Sequence, residues 1–328
     1  MSVKNVPYCP PGGNNTGVNP LCYNDLGRPV GIIWGKPGRT YPTGSIAALK
    51  TALETDILND DAQARLFPVQ NIVEVTDNTK AVNELTYSGN GKTVVTGEND
   101  YSLKFRWDVG GFCLNYVSRK QNGITRAAFI IDSKGQLWAT DAGTTVTPEL
   151  CKGLVGYNYT EPLKIQANNT TLTEYQTRFD FAPAQLNDSP AIINFNNENG
   201  GGLAYLTGLT GLFNVASLQG AARAAGVLVV KEVVVGCGST DLFDLYAAPL
   251  AVVGAWRARN KATQNPIPVT AVAQSAGNRG WQVTLDTANA NYTATVGGIE
   301  VALVGPTELQ AILNTTDGTG YDSAWLAQ

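Results

Sequence analysis

The sequence predicts a mainly β fold of the α+β class: a β-sandwich or β-barrel core with one or two helices, followed by a small C-terminal β-rich module. Apolar and polar side chains alternate with a period of two in several segments, which is the pattern of strands with one buried face. Turn-forming Gly and Asn residues separate these segments at intervals typical of sandwiches and barrels. The clearest helical spacing is confined to one early segment.

Residues 1–43 are predicted to form an irregular N-terminal arm. The segment Pro10-Pro11-Gly12-Gly13 is incompatible with a helix or a central strand, and further prolines continue this pattern. A short strand is possible at Ile32-Ile33-Trp34. Such an arm gains its order from a neighbouring subunit or lies as a surface loop, and the sequence leaves both readings open.

A β-rich core domain is predicted over residues 44–260, beginning with a helix over 44–62. Its apolar residues recur at steps of three and four, which gives one apolar stripe for burial; they are Ile46, Leu49, Leu53 and Ile57. Thr43 or Ser45 can cap the start of this helix. The carboxylates of Asp60 and Asp61 fit a solvated helix end better than a metal site.

From Leu66 onward the hydrophobic period changes from 3.6 to 2, which predicts strands. Asn90-Gly91 is a strong hairpin signal, and Asp132–Gly135 forms a second turn between two apolar runs. Strands are predicted over residues 72–75, 103–109, 114–117, 127–131, 136–139, 175–181 and 191–195.

The later part of the chain is less regular. Residues 203–225 are moderately helical in pattern but contain three glycines, and Val227–Val235 is a β-branched run that reads as a central strand. A polar segment over 257–268 predicts a linker. A small C-terminal β-rich module is then predicted over 266–328, with strands at 281–285, 292–296 and 299–303 and a helix beginning at Pro306.

Composition excludes several classes of function. The chain has no histidine, which excludes Ser-His-Asp and Cys-His catalysis and predicts little pH-triggered switching between pH 5 and 8. Charged residues make up 15% and the net charge is −4, without a basic cluster, so direct sequence-specific nucleic acid binding is not expected. A neutral polar surface suits repeated subunit packing, although a drift in composition gives the same numbers.

Targeting signals and cysteines point to a reducing compartment. No secretory signal or membrane span is visible, so the chain is expected to be made in a cytoplasm. The five cysteines are scattered and read as small buried residues; a bridge between Cys9 and Cys22, formed after release from the cell, is the alternative.

The candidate chemical motifs lack the partners that their chemistry requires. Gly89–Thr93 resembles the end of a phosphate-binding loop, but a β pattern follows where a helix is needed. Gly236–Asp241 reads as a turn whose Ser239 or Thr240 caps a helix. The possible carboxylate pairs Glu98/Asp100 and Asp241/Asp244 have no distinguishing feature, and the Trp and Tyr residues fit core packing. The sequence therefore predicts no catalytic, cofactor-binding or metal-binding residues.

The stretch from Leu66 to Leu150 resembles virion structural proteins of tailed phages, particularly tail-tube and neck-ring proteins. The residues behind this resemblance are Phe67-Pro68-Val69, Val75–Thr79, Gly89-Asn90-Gly91, Gly97-Glu98 and Phe129–Gly135. The resemblance implies a β-sandwich or barrel tube subunit that assembles into homo-oligomeric rings with other virion proteins, and it transfers no catalytic residues.

The expected function is therefore that of a non-enzymatic structural protein of a bacteriophage virion, forming rings or a tube in the tail or neck. The alternative is a head-decoration or fibre protein that recognises host surface glycans. A histidine-free carboxylate hydrolase is the third reading.

Overall fold

In the computed structural model, the described residues are 4–5, 26–61, 64–80, 83–86, 93–97, 99–107, 115, 118–119, 122–147, 149–162, 175–187, 189–195, 200–219, 226–235, 240–313, 320–323 and 325–327. The chain divides into two compact units, the first comprising Met1–Ile57 with Gln63–Thr210 and the second Leu58–Ala62 with Gly211–Gln328. The strands form several sheets, including a curled half-barrel, so the predicted mainly β class is confirmed.

The first unit contains fourteen strands and three helices among its described residues. The strands are β1 (Lys4–Asn5), β2 (Pro29–Gly35), β3 (Thr40–Pro42), β4 (Phe67–Gln70), β5 (Glu74–Asp77), β6 (Asn83–Thr86), β7 (Thr93–Gly97), β8 (Tyr101–Trp107), β9 (Thr125–Asp132), β10 (Gln136–Asp141), β11 (Leu150–Lys152), β12 (Leu154–Thr160), β13 (Tyr175–Phe181) and β14 (Pro190–Asn194). The helices are α1 (Ile46–Ile57), α2 (Ala184–Asn187) and α3 (Gly202–Gly208).

Twelve of these strands form one sheet, and β9 lies at its junction. The main order is β1-β14-β10-β9-β12-β13-β8-β5, with β2, β3, β4 and β11 attached beside it. Strand β9 pairs with β2, β10 and β12, all antiparallel. The separate hairpin of β6 and β7 agrees with the predicted one, although its Asn90-Gly91 turn lies outside the described residues.

The central strands of this sheet are apolar on both faces. Alternate residues enter two hydrophobic clusters, as Ile130 and Ile131 on β9 do. Helix α1 covers one face, where Leu49 and Leu53 are fully buried. Burial on both faces explains the near-continuous apolar run over 127–131.

The turn between β9 and β10 is organised by the buried carboxylate of Asp132. Its Oδ1 accepts hydrogen bonds from the backbone N–H groups of Lys134 and Gln136, both at 2.9 Å. Its Oδ2 accepts from Gly27 N at 2.7 Å and from Trp138 Nε1 at 2.9 Å. The turn also requires glycine at position 135, where φ is +75°. The predicted hairpin around Asp132–Gly135 is thereby confirmed.

The second unit contains ten strands and two helices among its described residues. The strands are β15 (Leu212–Gln219), β16 (Val227–Val235), β17 (Thr240–Asp241), β18 (Trp256–Asn260), β19 (Pro266–Ile267), β20 (Val269–Ser275), β21 (Gly280–Leu285), β22 (Ile299–Leu303), β23 (Gly320–Ser323) and β24 (Leu326–Ala327). The helices are α4 (Leu242–Tyr246) and α5 (Pro306–Leu313).

Two sheets of the second unit share one hydrophobic core. The six-stranded sheet has the order β20-β21-β16-β15-β23, with β17 beside β16, and the four-stranded sheet has the order β19-β18-β22-β24. Strands β15 and β23 are parallel. The core includes Trp281 from the first sheet, Val301 from the second and Leu309 from α5.

The early and late helices agree with the sequence, with shorter limits. Helix α1 spans Ile46–Ile57 rather than 44–62, and the Ser45 hydroxyl caps it by accepting from Ala48 N. It ends early because Asn59 accepts from Asp61 N in a local turn. Helix α5 begins at Pro306, as predicted.

The predicted domain limits differ from the observed division. The core domain was placed at 44–260 and the C-terminal module at 266–328, but strands from both sides of this limit pair directly, as β16 does with β21. The polar segment 257–268, taken as a linker, contains most of β18, the turn that follows it and β19; at the turn Asn260 N donates to Asn265 O at 2.9 Å. Polar turn residues and linker residues have the same composition.

Three smaller predictions also differ. Residues 212–219 form strand β15 rather than part of a helix, because Gly208 and Gly211 end helix α3. Residues 292–296 form a loop rather than a strand. The predicted strand at 114–117 lies outside the described residues except Asn115, which is helical. None of the described helices is long and apolar enough to cross a membrane.

We expect D132A to lower the free energy of unfolding by about 3 kcal/mol or more, because four donors lose a charged acceptor in a buried site. Urea denaturation followed by tryptophan fluorescence measures this change. The matched control is D77A, which removes an exposed carboxylate that accepts a hydrogen bond from Thr79 N; we expect a loss below about 1 kcal/mol. Equal losses in the two variants would contradict the role given to Asp132.

Candidate functional site

Strand β12 places two tyrosines on the outer side of the first sheet. Tyr157 is 59% exposed and Tyr159 is 47% exposed, while the residues between and beside them are buried. Gly156 is required because a Cβ there would lie 2.2 Å from Asp180 O. Thr160 is satisfied inside by a 3.0 Å hydrogen bond to the hydroxyl of Thr177. This strand therefore turns its small and polar residues inward and its aromatic residues outward.

The neighbouring strands place charged side chains beside these tyrosines. Tyr159 lies opposite Arg178 on β13, and Arg178 lies opposite Lys104 on β8. The Arg178 guanidinium carbon is 5.8 Å from the centre of the Tyr159 ring, within cation–π range. Tyr157 lies opposite Asp180. We name this surface the tyrosine face, defined by Tyr157, Tyr159, Arg178, Asp180, Lys104, Arg106 and Glu74.

Charges on the tyrosine face are paired. Arg178 Nε is 3.0 Å from Asp180 Oδ2, Arg106 Nη1 is 2.6 Å from Glu74 Oε2, and Lys104 Nζ is 2.9 Å from Glu161 Oε1. Because each cation has an anion beside it, the face presents little net field to a charged partner. Such a face suits a neutral polar partner better than a phosphate backbone.

A hollow lies on the β5, β8 and β13 side of the same face. Its volume is about 260 Å³, and it is lined by Glu74, Thr76, Asn78, Lys104, Arg106 and Gln176. The lining is polar, without an aromatic platform of its own. The hollow therefore adds hydrogen-bonding groups to the tyrosine face rather than an apolar binding pocket.

No known protein-family model matches this chain, and comparison with curated proteins finds no match.

The expectation that aromatic residues serve core packing holds for most of those described. Five tryptophans are at most 7% exposed: Trp34, Trp107, Trp138, Trp256 and Trp281. Among the described aromatic residues, Tyr157, Tyr159 and Phe213 are exposed. In the segment Gly-Tyr-Asn-Tyr-Thr, the tyrosines face one side of the strand and the small or polar residues face the other. Because tyrosine is the more apolar of these residues, the sequence pattern predicts burial of the tyrosines, which is the opposite of what the structure shows.

The carboxylate pair Asp241/Asp244 lies in an ion-pair cluster at the start of α4. Arg279 contacts both carboxylates, and Lys231 Nζ is 3.0 Å from Asp241 Oδ2. Asp241 also caps α4 by accepting from Phe243 N, a role that the sequence had given to Ser239 or Thr240. Hydrogen bonding to Asp244 raises the pKa of Arg279. This arrangement stabilises a helix start.

The other predicted pair, Glu98/Asp100, is only partly visible. Asp100 is exposed, and Glu98 lies outside the described residues. Cys9 and Cys22 also lie outside them, as does the Gly89–Lys92 part of the phosphate-loop resemblance, while Thr93 begins strand β7. Cys151 is fully buried, as expected. Among the described residues, no three His, Cys, Asp or Glu side chains lie close enough to hold a metal ion.

A second hollow, of about 480 Å³, lies where strand β3 meets helix α1. At its edge the buried carboxylate of Asp56 accepts hydrogen bonds from the Arg39 guanidinium and, at 2.7 Å, from the Tyr41 hydroxyl. Burial and the bond to Asp56 raise the pKa of Tyr41. With its oxygens occupied by these donors, Asp56 joins the strand to the helix.

Glu232 is a fully buried carboxyl group within the second unit. Its Oε1 accepts hydrogen bonds from the hydroxyls of Ser217 and Ser323, and its Oε2 has no hydrogen-bond partner among the described residues. Burial raises the pKa of Glu232 to about 8, although the two serines lower it. The side chain is therefore mostly protonated at neutral pH. The chain lacks histidine but has a group that titrates near neutral pH.

We expect the stability of the protein to fall as the pH rises from about 4.5 to about 8, relative to E232Q. Below this range Glu232 is protonated in both states; within it, unfolding releases the proton, so a higher pH favours the unfolded chain. Within this range the free energy of unfolding of the wild type falls, relative to that of E232Q, by up to about 1.4 kcal/mol for each pH unit. Urea denaturation at several pH values measures it.

The control for this experiment is E308Q, which changes an exposed glutamate on α5. It should keep the pH dependence of the wild-type protein. A parallel pH dependence of the wild type and E232Q would show that Glu232 titrates at an ordinary pKa.

Proposed function

We propose that this protein is a non-enzymatic structural component of a virus particle that self-assembles into rings or a tube in a phage tail or neck. The tyrosine face is the observation that carries the proposal. Tyr and Arg are the residue types enriched at the centres of protein interfaces, where they contribute most of the binding energy. Tyr157, Tyr159 and Arg178 lie together on one sheet surface.

The charge pattern supports a second copy of this chain as the partner. With 15% charged residues and a net charge of −4, the chain loses little hydration energy when its surface is covered. On the tyrosine face the ion pairs already neutralise each other, so a second copy meets no strong repulsion. In a closed ring each subunit repeats the same contact, so modest contacts accumulate.

The resemblance to phage tail-tube and neck-ring proteins supports the particle context. It covers residues 66–150, which belong to the first unit, and strands β5 and β8 of the tyrosine face lie within it. The segment that resembles phage proteins and the tyrosine face therefore lie in the same unit.

A decoration or fibre protein that binds host glycans is the second candidate. Exposed tyrosine rings offer an apolar platform for sugar rings, and neighbouring charged groups such as Asp180 and Arg178 can bond to hydroxyls. The ion pairing of Asp241 and Asp244 gives no comparable support to a hydrolase.

Assembly of the purified full-length chain tests the proposal. We expect rings or short tubes in negative-stain electron microscopy and a mass of several subunits in light scattering. A monomer at every concentration that binds glycans on an array would replace the proposal with the second candidate. Catalytic turnover that is lost on removing one carboxylate would overturn both.

We expect Y157A/Y159A to raise the protein concentration needed for assembly about tenfold or more, because truncating a central interface tyrosine costs more than about 1 kcal/mol. Light scattering over a dilution series measures it. The control V146A/V296A removes two exposed apolar side chains outside this face and should assemble as the wild type does. Equal effects in the two variants would show that assembly does not depend on the tyrosine face.

A further inference from the structure

Strand β20 is an exposed edge strand without a charged residue. It spans Val269–Ser275 and pairs with β21 on one side, and no other strand among those described pairs with it. Its sequence, Val-Thr-Ala-Val-Ala-Gln-Ser, also lacks proline. Four of its residues are exposed: Thr270, Ala271, Ala273 and Gln274. An edge of this kind presents unpaired backbone groups to another chain.

Among the described strands, every other edge of the sheets with more than two strands is at most four residues long, and β1, β3, β17 and β24 have only two or three residues. Strand β5 carries Glu74 and Asp77, and β4 contains Pro68. In the second unit, β19 has two residues including Pro266, and β23 has four residues including Asp322. Short length, charge and proline are the features that prevent edge pairing. On the seven-residue β20 a bulge at Thr270 interrupts the register, and residues 271–275 stay regular.

We propose that β20 is the site where a second copy of this chain adds its own β20, antiparallel and across a two-fold axis. The two six-stranded sheets then continue as one sheet through main-chain hydrogen bonds. The proposal rests on the self-assembly part of the proposed function, and it names a contact in the second unit that is separate from the tyrosine face.

The chemistry of β20 favours its own copy as the partner. With the axis at Ala273, the middle of the regular stretch, Ala273 lies opposite its symmetry mate and Val272 lies opposite the partner copy's Gln274. No like charges meet, and the alanines leave room for close approach. The partner must offer an edge of matching length, and the other edges just described are shorter or protected. A two-fold contact supplies such an edge because both copies contribute the same strand.

Opposed charges test this contact in the full-length protein. We expect A271K/A273K to raise the dissociation constant between copies about tenfold or more, because like charges then face each other across the axis. A271E/A273E should act in the same way, and mixing the two variants should restore association. Sedimentation velocity over a concentration series measures all three. The control A288K/A290K changes two exposed alanines with the same spacing and should associate as the wild type does.

A cysteine variant gives an independent test. We expect A273C to form a covalent dimer under mild oxidation, because its symmetry mate lies opposite; A290C reports the background from the native cysteines. If A271K/A273K still forms oligomers and A273C forms no covalent dimer, the β20 contact is overturned while self-assembly stands. A wild-type chain that stays monomeric at every concentration would overturn both. A pair that forms through β20 without rings or tubes would support the contact and overturn the assembly proposed for the particle.

Discussion

The buried carboxylate of Asp132 holds the first unit together, because it lies where the junction strand of the largest sheet turns back. Strand β9 pairs with three others, and Asp132 closes its end by accepting from donors on the turn, on β10 and on the segment before β2. A charged oxygen without water is tolerated only when donors replace its hydration. Four donors do so here, and they fix the strand ends from which both hydrophobic clusters are built.

The strands of that sheet differ in whether one or both of their faces are buried, and the tyrosine face follows from this difference. Strands near β9 are covered on both sides, whereas β13 and β8 bury only one face, with Phe179 and Phe105 inside. Their outer side is left to Arg178, Lys104 and their acidic partners. Exposed tyrosines on β12 therefore lie at the border between a buried and a polar surface.

Sequence patterns predicted the parts of the fold in which local and tertiary preferences agree. The apolar stripe of α1 and the turn after β9 were predictable because spacing, capping and turn residues all indicate the same structure. Strand β15 was missed because alanine-rich and leucine-rich patterns do not separate helix from strand when glycines interrupt them. The exposed tyrosines of β12 were missed because their outward direction depends on Gly156 lying against Asp180, a contact distant in sequence.

The parallel pairing of β15 with β23 joins residues about one hundred positions apart, so the order of synthesis matters for the second unit. Strands of the first unit that surround β9 are all present once residue 194 has been made. The six-stranded sheet is incomplete until residues 320–323 leave the ribosome, and loop closure of this length is slow. The hydroxyl of Ser323 can therefore reach Glu232 only after this late segment has been made. Completion of the buried carboxyl site, which Glu232 shares with Ser217 and Ser323, therefore waits for the synthesis of residues 320–323.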